Sequence, residues 1–310
     1  MGGKDHIVRV ATVTQDGLDR GSAGIVPQTL ERLEAAACNR PDIVCLPEIF
    51  AGDMAETVPG PTTERLSQWA WEHSCYVVCP IATRVNQCRL NSAVLLDRAG
   101  AIAGRYDKIH PTEGEIERGT CPGHIDAPVF RTDFGTIGIQ ICFDVNNWLG
   151  VWGQLKEKGA EIVFWPSAYP AHRLLSALAW INEFYIVSST MTRASRVYDI
   201  TGDVIAATGM LQQWADADLN LGKRLFETDY HTEKIPALQR KYGRRAQVRW
   251  YHDEDWFTLA SVDPELSMEE LIAEFGLVPL RPYHERCKRA QDEARARCVE
   301  SHARGRAARS

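Results

Sequence analysis

Three polar residues stand where apolar runs of the sequence stop. Glu48 follows Val44-Cys45-Leu46-Pro47, Lys108 follows Gly104-Arg105-Tyr106-Asp107, and Cys142 follows Gly138-Ile139-Gln140-Ile141. A carboxylate, an ammonium and a thiol can divide the labour of acyl transfer. The thiol attacks a carbonyl carbon, but it is a weak nucleophile until deprotonated. The carboxylate takes that proton, and the ammonium stabilises the oxyanion of the tetrahedral intermediate. Singly, each residue has a plainer reading: a helix-cap acceptor, a solvated loop lysine and a packing thiol. Their shared position at strand ends favours the chemical reading. In an open α/β sheet, strand ends of one orientation share an edge, and ligands bind there.

The elements that must hold these residues alternate along the chain. Strand patterns cover residues 7–14, 42–46, 76–85, 90–97, 101–106, 161–165, 185–191 and 204–208. Helical spacing covers 27–38, 149–158 and 172–184, and Thr62 or Thr63 is positioned to cap a helix running to His73. Residues 135–143 alternate so that Ile137, Ile139 and Ile141 face one way while Gly138, Gln140 and Cys142 face the other. A turn at 199–202 separates two strands. This alternation predicts an α/β fold with sheets covered by helices. Ser267-Met268-Glu269-Glu270 reads as a helix start, and the rest as helix and tail. The segment 214–230 has no assignment. The expected organisation is one domain over 1–265, with a C-terminal helical extension and basic tail over 266–310.

Four segments in order carry a resemblance: Leu46-Pro47-Glu48, Lys108-Ile109-His110-Pro111-Thr112, Gly138-Ile139-Gln140-Ile141-Cys142-Phe143-Asp144 and Trp165-Pro166-Ser167-Ala168. They resemble the signature segments of the nitrilase, or carbon–nitrogen hydrolase, superfamily, over about residues 7–260. The resemblance implies a four-layer αββα sandwich and a Glu48–Lys108–Cys142 triad. It also implies chemistry without metal or cofactor, and a homo-oligomer, dimer or higher. A second glutamate follows the lysine in this family. Glu115 fits by spacing, with Glu113 and Glu117 as neighbouring rivals.

Three features depart from the family pattern. After Cys142-Phe143-Asp144 stands Val145-Asn146-Asn147-Trp148, where amidase-like members carry a basic residue and then an aromatic-Pro-Glu stretch. Many members have Asn-Arg after the strand at 185–189; here Ser188-Ser189-Thr190-Met191-Thr192-Arg193 follows. The segment 214–230 and the arm after Ser261 match nothing in the pattern. Phe143, Asp144, Trp148, Tyr169 and His172 are the candidate substrate-binding residues. Phe143-Asp144, where nitrilases tend to have Trp-Glu, favours a small amide or N-carbamoyl substrate over a nitrile. The implied reaction is hydrolysis of a non-peptide C–N bond through a thioester, releasing ammonia or an amine. A nitrilase is the alternative within the family. A papain-like enzyme using His110 or His172 as base, and a non-catalytic scaffold with the hydrolase fold, are the alternatives outside it.

Composition narrows the classes further. The 310 residues are 45% hydrophobic and 25% charged, which suits a chain with a sizeable core. Nine cysteines, an odd number, several within apolar runs, suggest reduced thiols and a cytoplasmic location rather than a disulfide framework. No Cys or His spacing fits a zinc site. No run reaches the length of a membrane span, and the N-terminus leads straight into a strand pattern, with no apolar leader. The net charge is −6, yet residues 281–310 carry nine Arg or Lys against four Asp or Glu. That tail reads as a solvated helical arm, and no nucleic-acid partner is expected. The expected partner is a small-molecule substrate.

Overall fold

The Val- and Ile-rich runs of the first 221 residues become strands, and the amphipathic stretches between them become helices. The computed structural model describes residues 7–22, 24–146 and 149–307, with side chains as far as Cys298. The chain divides into two compact units, residues 7–221 and the segment from Gly222 onward.

The first unit runs β1 (Ile7–Val13), α1 (Ile25–Ala36), β2 (Ile43–Cys45), α2 (Pro61–His73), β3 (Tyr76–Val85), β4 (Cys88–Leu96), β5 (Ile102–Asp107), α3 (Glu113–Glu117), β6 (Val129–Arg131), β7 (Thr136–Ile139), α4 (Leu149–Glu157), β8 (Ile162–Ser167), α5 (His172–Asn182), β9 (Tyr185–Thr190), β10 (Arg196–Tyr198), β11 (Val204–Ala207) and β12 (Trp214–Asn220). Two six-stranded sheets result, ordered β12-β1-β2-β3-β4-β5 and β11-β10-β9-β8-β7-β6. Helices α1 and α2 pack on the first sheet and α5 on the second, with α4 against α5. Each helix buries one stripe: Ile25, Leu33 and Ala36 from α1, Leu66 and Ala70 from α2, Val151, Trp152 and Leu155 from α4, and Leu175, Leu178 and Ala179 from α5. This is the four-layer αββα sandwich.

The facing strands β1 and β9 set the relative direction of the two sheets. Thr12 Oγ1 donates to the Ser188 carbonyl at 2.7 Å, Ser189 Oγ to that of Val13 at 2.7 Å, and Thr14 Oγ1 to that of Thr190 at 3.0 Å. Residue numbers rise together along both strands. Strands β1, β2 and β3 are parallel, and β5 regains their direction through two antiparallel steps. Strands β7, β8 and β9 are likewise parallel. The C-terminal ends of β2, β5 and β7 therefore lie at the same end of the sandwich. The expectation of one sheet edge needs correcting: Glu48 and Lys108 follow strands of the first sheet, and Cys142 follows a strand of the second.

Three local readings also change. Strand β7 ends at Ile139, and residues Cys142–Val145 form a tight 3-10 turn, so the alternation does not carry Cys142. Helix α2 is capped at Gly60, whose N–H donates to Thr63 Oγ1 at 2.8 Å. Strand β12 pairs antiparallel with the whole of β1. Its sequence, Trp-Ala-Asp-Ala-Asp-Leu-Asn, hides the strand because Asp216 and Asp218 occupy outer positions of a sheet edge. Asp218 accepts from Arg9 at 2.7 Å.

The second unit runs β13 (Arg224–Glu227), α6 (Ile235–Tyr242), β14 (Ala246–Tyr251), β15 (Trp256–Ser261), α7 (Met268–Phe275) and α8 (Leu280–Ala307). Its antiparallel sheet is ordered β13-β15-β14. Phe226, Leu238, Phe257, Leu259, Met268 and Leu271 share one core. The division thus falls after Leu221 rather than at 265, because β13–β15 close a core together with α6 and α7. Ser267 does start α7: its hydroxyl accepts from the Glu270 N–H, and the Glu270 carboxylate accepts from the Ser267 N–H. Among the described residues, no helix is long and apolar enough to cross a membrane.

Candidate active site

Each of the three strand ends is built to present one side chain. After β2, Pro47 leads to Glu48, which is buried, and Ile49 takes a positive φ of 44° that turns the chain away. After β5, the Lys108 backbone is held on both sides: its N–H donates to the Asn91 carbonyl at 2.8 Å, and its carbonyl accepts from the Gly123 N–H at 2.8 Å. Gly123 is required there, because a Cβ would lie 2.2 Å from the Asp107 carbonyl oxygen. After β7, Cys142 adopts a φ of 47°, a left-handed conformation unusual for a non-glycine residue.

Asp144 holds that turn in place. Its carboxylate is fully buried and accepts the Ile141 N–H at 2.9 Å and the Tyr106 hydroxyl at 2.7 Å on one oxygen. The other oxygen accepts the His110 N–H at 2.8 Å and lies 3.0 Å from His110 Nδ1. One side chain therefore ties the cysteine turn to both flanks of Lys108. The Asp144 carbonyl also accepts Trp152 Nε1 at 2.8 Å, and the Cys142 carbonyl accepts Trp165 Nε1 at 3.1 Å.

The charged groups converge on Lys108, whose side chain is 2% exposed. Its Nζ donates to Glu48 Oε1 at 3.0 Å and to both Glu115 oxygens at 3.0 and 2.8 Å. Asn91 Nδ2 bridges the same two carboxylates, at 2.8 Å to Glu48 and 3.1 Å to Glu115. Glu115 Oε2 also accepts the Thr112 N–H and hydroxyl, at 2.8 and 3.0 Å. Glu113 and Glu117 are exposed on the outer side of α3, so Glu115 is the glutamate at the lysine.

Electrostatics follow from this geometry. Burial alone would lower the Lys108 pKa, but Glu48, Cys142 and Glu115 outweigh it and hold the ammonium well above its ordinary value. Burial opposes ionisation of Glu115, yet the Lys108 charge and hydrogen bonds from Lys108, Thr112 and Asn91 keep its pKa below the ordinary value. Burial and then the Glu48 charge push the Cys142 thiol up to about 12, against smaller opposing effects of Lys108, Ser167 and Ala168. The resting sulfur is a thiol, and a base must take its proton as it attacks.

Cys142, Glu48, Lys108 and Glu115 all line one cavity of about 300 Å³. Of the five candidate substrate-binding residues, none of the four described ones lines it. Asp144 is turned into the protein by its own hydrogen bonds. Phe143 is half-buried in the cysteine turn. Tyr169 packs edge-on against Trp165 and accepts from Asn146 Nδ2 at 3.2 Å. His172 is exposed at the start of α5, stacked on Tyr198. Trp148 lies outside the described residues. The remaining wall comes from Arg20, Ile49, Asp53, Arg89, Thr112, Arg118, Ala168 and Met191. Asn91 was not anticipated either. Its signal was an amide within the apolar run Leu90-Asn91-Ser92-Ala93-Val94 of a buried strand.

The carbon–nitrogen hydrolase family model matches residues 9–223, almost the whole of the first unit. The chain belongs to the carbon–nitrogen hydrolase family. Among curated relatives of this hydrolase, a β-ureidopropionase of Arabidopsis thaliana is 31% identical over 47% of this chain and 40% of its own length. An omega-amidase of Xenopus tropicalis is 27% identical over 61% of this chain and 80% of its own. An N-carbamoylputrescine amidase of Solanum lycopersicum is 28% identical over 54% and 61%. The fold is that of nitrilase-superfamily structures. Saccharomyces cerevisiae Nit3 superposes with a TM-score of 0.60 at 19% identity, covering 76% of this chain and 94% of its own. XC1258 of Xanthomonas campestris superposes with a TM-score of 0.62 at 19% identity, covering 76% and 97%.

Proposed function

We propose that this carbon–nitrogen hydrolase cleaves a small amide or N-carbamoyl compound, with Cys142 as nucleophile, Glu48 as general base and acid, and Lys108 as oxyanion donor. The observation that carries the reading is the buried Lys108 ammonium, bonded to both Glu48 and Glu115, on the wall of the cavity that Cys142 also lines. An ammonium held charged in this way cannot serve as the base, which leaves Glu48 for the proton. The relatives named as amidases and as an N-carbamoyl amidase support the substrate class.

In the first half-reaction, Cys142 Sγ bonds to the carbonyl carbon while its proton passes to Glu48. The carbonyl oxygen becomes an oxyanion and accepts a hydrogen bond from Lys108 Nζ. The C–N bond then breaks, and the leaving nitrogen takes the proton from Glu48. Ammonia or an amine departs, and a thioester remains on Cys142. In the second, water adds to the thioester as Glu48 takes its proton. The C–S bond breaks, the acid leaves, and the thiol is restored. A carbamoyl substrate follows the same path and finally loses carbon dioxide. Glu115 acts through Lys108, holding the ammonium by two hydrogen bonds while Glu48 changes protonation state. A Nesterenkonia amidase of this fold, 17% identical, carries a covalent acetamide adduct from fluoroacetamide at its active-site cysteine, which accords with cysteine attack.

The test is ammonia release from a panel of small amides, N-carbamoyl amino acids and nitriles by wild type and Cys142→Ala. Release by wild type alone, together with an acyl-enzyme mass adduct on quenching, is the expected result. Release that persists in Cys142→Ala would refute the nucleophile, and release from nitriles but not from the matching amides would refute the substrate class.

A further inference from the structure

The cavity has an inner and an outer charge layer. The inner layer is Glu48, Lys108 and Glu115, whose formal charges sum to −1, with the ammonium bonded to both carboxylates. The outer wall carries Arg20, Arg89 and Arg118 against one acid, Asp53, a sum of +2. Arg89 is already engaged, donating to Thr120 Oγ1 at 2.6 Å and pairing with Asp53 at 3.3 Å. Among the described residues, Arg20 and Arg118 have no ion-pair partner. They come from the loop after β1 and from the end of α3, so the two guanidinium groups approach the cavity from separate elements. Uncharged Ile49, Thr112, Ala168 and Met191 complete the wall.

We propose that this hydrolase selects substrates that carry a carboxylate at the end remote from the scissile C–N bond, bound by Arg118 and Arg20. The proposal rests on the hydrolytic reading above and names its substrate class. A guanidinium binds a carboxylate through two parallel hydrogen bonds, which fixes orientation as well as adding attraction. Neither arginine has to give up an ion-pair partner in the described structure to do so. An ammonium tail would face two uncompensated guanidinium groups and be disfavoured. The volume of about 300 Å³ limits the substrate to a short chain, roughly ten water-sized groups between and including the two ends. Arg118 ends the same short helix that presents Glu115 to Lys108. An anion seated on Arg118 is thereby referenced to the ammonium that receives the oxyanion.

The experiment uses a matched trio: an N-carbamoyl ω-amino acid, its methyl ester, and the N-carbamoyl diamine of equal length, with the corresponding dicarboxylic monoamides as a second series. Wild type is expected to favour the acid over the ester and the ammonium compound by about tenfold or more in kcat/KM, and 0.5 M salt to shrink that preference. Arg118→Ala is expected to reduce the acid-over-ester ratio about tenfold, mainly through KM, and Arg118→Glu to move the preference toward the ammonium compound. Equal kcat/KM across the trio, or a proportionate loss on all three compounds in Arg118→Ala, would overturn the proposal. Calorimetric binding of the trio to Cys142→Ala separates the two readings. An acid that binds in preference but is never turned over by wild type defeats the hydrolytic reading and leaves the anion site standing. An acid hydrolysed or bound no better than its ester defeats the anion site.

Discussion

Lys108→Met removes one charge while keeping most of the side-chain volume, and its consequences can be worked from the distances. The ammonium makes three hydrogen bonds to two carboxylates within 3.0 Å. Without it, Glu48 and Glu115 share only Asn91 Nδ2, at 2.8 and 3.1 Å. Two carboxylates that close cannot both stay ionised in a buried site, so one takes up a proton. Breaking a buried ion pair by removing one partner costs about 3–5 kcal/mol. The lower end applies, because Glu115 keeps two hydrogen bonds from Thr112 and is partly open to solvent. Loss of the oxyanion donor costs about 100- to 1,000-fold in kcat. A Glu48 that holds a proton cannot accept the one from Cys142, and the combined loss should exceed 1,000-fold. The assay pairs kcat on the best amide or carbamoyl substrate with urea unfolding of the same samples. Lys108→Met/Glu48→Gln supplies the control, since it removes the stranded charge and should recover part of the stability with no recovery of activity. Turnover in Lys108→Met within threefold of wild type, or turnover that returns with stability in the double variant, would refute the reasoning.

The remaining predictions concern the groups around that lysine. Asp144→Asn can no longer accept all the donors that face its carboxylate, so stability should fall by about 2–4 kcal/mol and kcat at least tenfold at nearly constant KM; a change confined to KM would place Asp144 on the substrate instead. With the Cys142 thiol pushed up to about 12, its alkylation by iodoacetamide should quicken about tenfold per pH unit from 7 to 10, and a plateau below pH 9 would contradict a resting thiol. Glu115 is held below its ordinary value of 4.5, so its ionised form stabilises the fold above that pH, and the contribution is lost as pH falls through the lower folded value. The stability gap between wild type and Glu115→Gln should therefore stay level from pH 5 to 8 and narrow below 4.5; a gap that widens on acidification has the wrong sign.

Much of this arrangement was legible in the residues. Glu48, Lys108 and Cys142 are polar groups at the ends of apolar runs, and local patterning alone marks such positions. Glu115 was distinguished from Glu113 and Glu117 by spacing, and in the structure it alone of the three reaches Lys108 while its neighbours on the same short helix face outward. Strands β3, β4, β8 and β9 were readable because their buried runs are long and bounded by turn residues. Strand β12 was not, since a strand with acidic outer positions has no apolar alternation to betray it. The sheet β13-β15-β14 was also missed, and with it the division after Leu221.

The lining of the cavity lay beyond local patterning. Asp144 looked like a pocket residue because it sits two positions from Cys142, yet four donors from three segments turn it inward. Asn91 is a single amide within a strand, and its value comes from lying beside two carboxylates that are 43 and 24 residues away. Arg20, Arg89 and Arg118 are three arginines among many until the chain brings them to one wall. The sequence by itself determined which groups could do chemistry and which strand ends would carry them, because hydrophobic period and strand termini are local properties. Only the tertiary structure decided that two facing sheets, rather than one edge, bring those groups together, and which distant charges surround them. Cross-sheet hydrogen bonds such as Thr12 to Ser188 join residues 176 positions apart, and a packing relation of that range leaves no periodic trace in the chain.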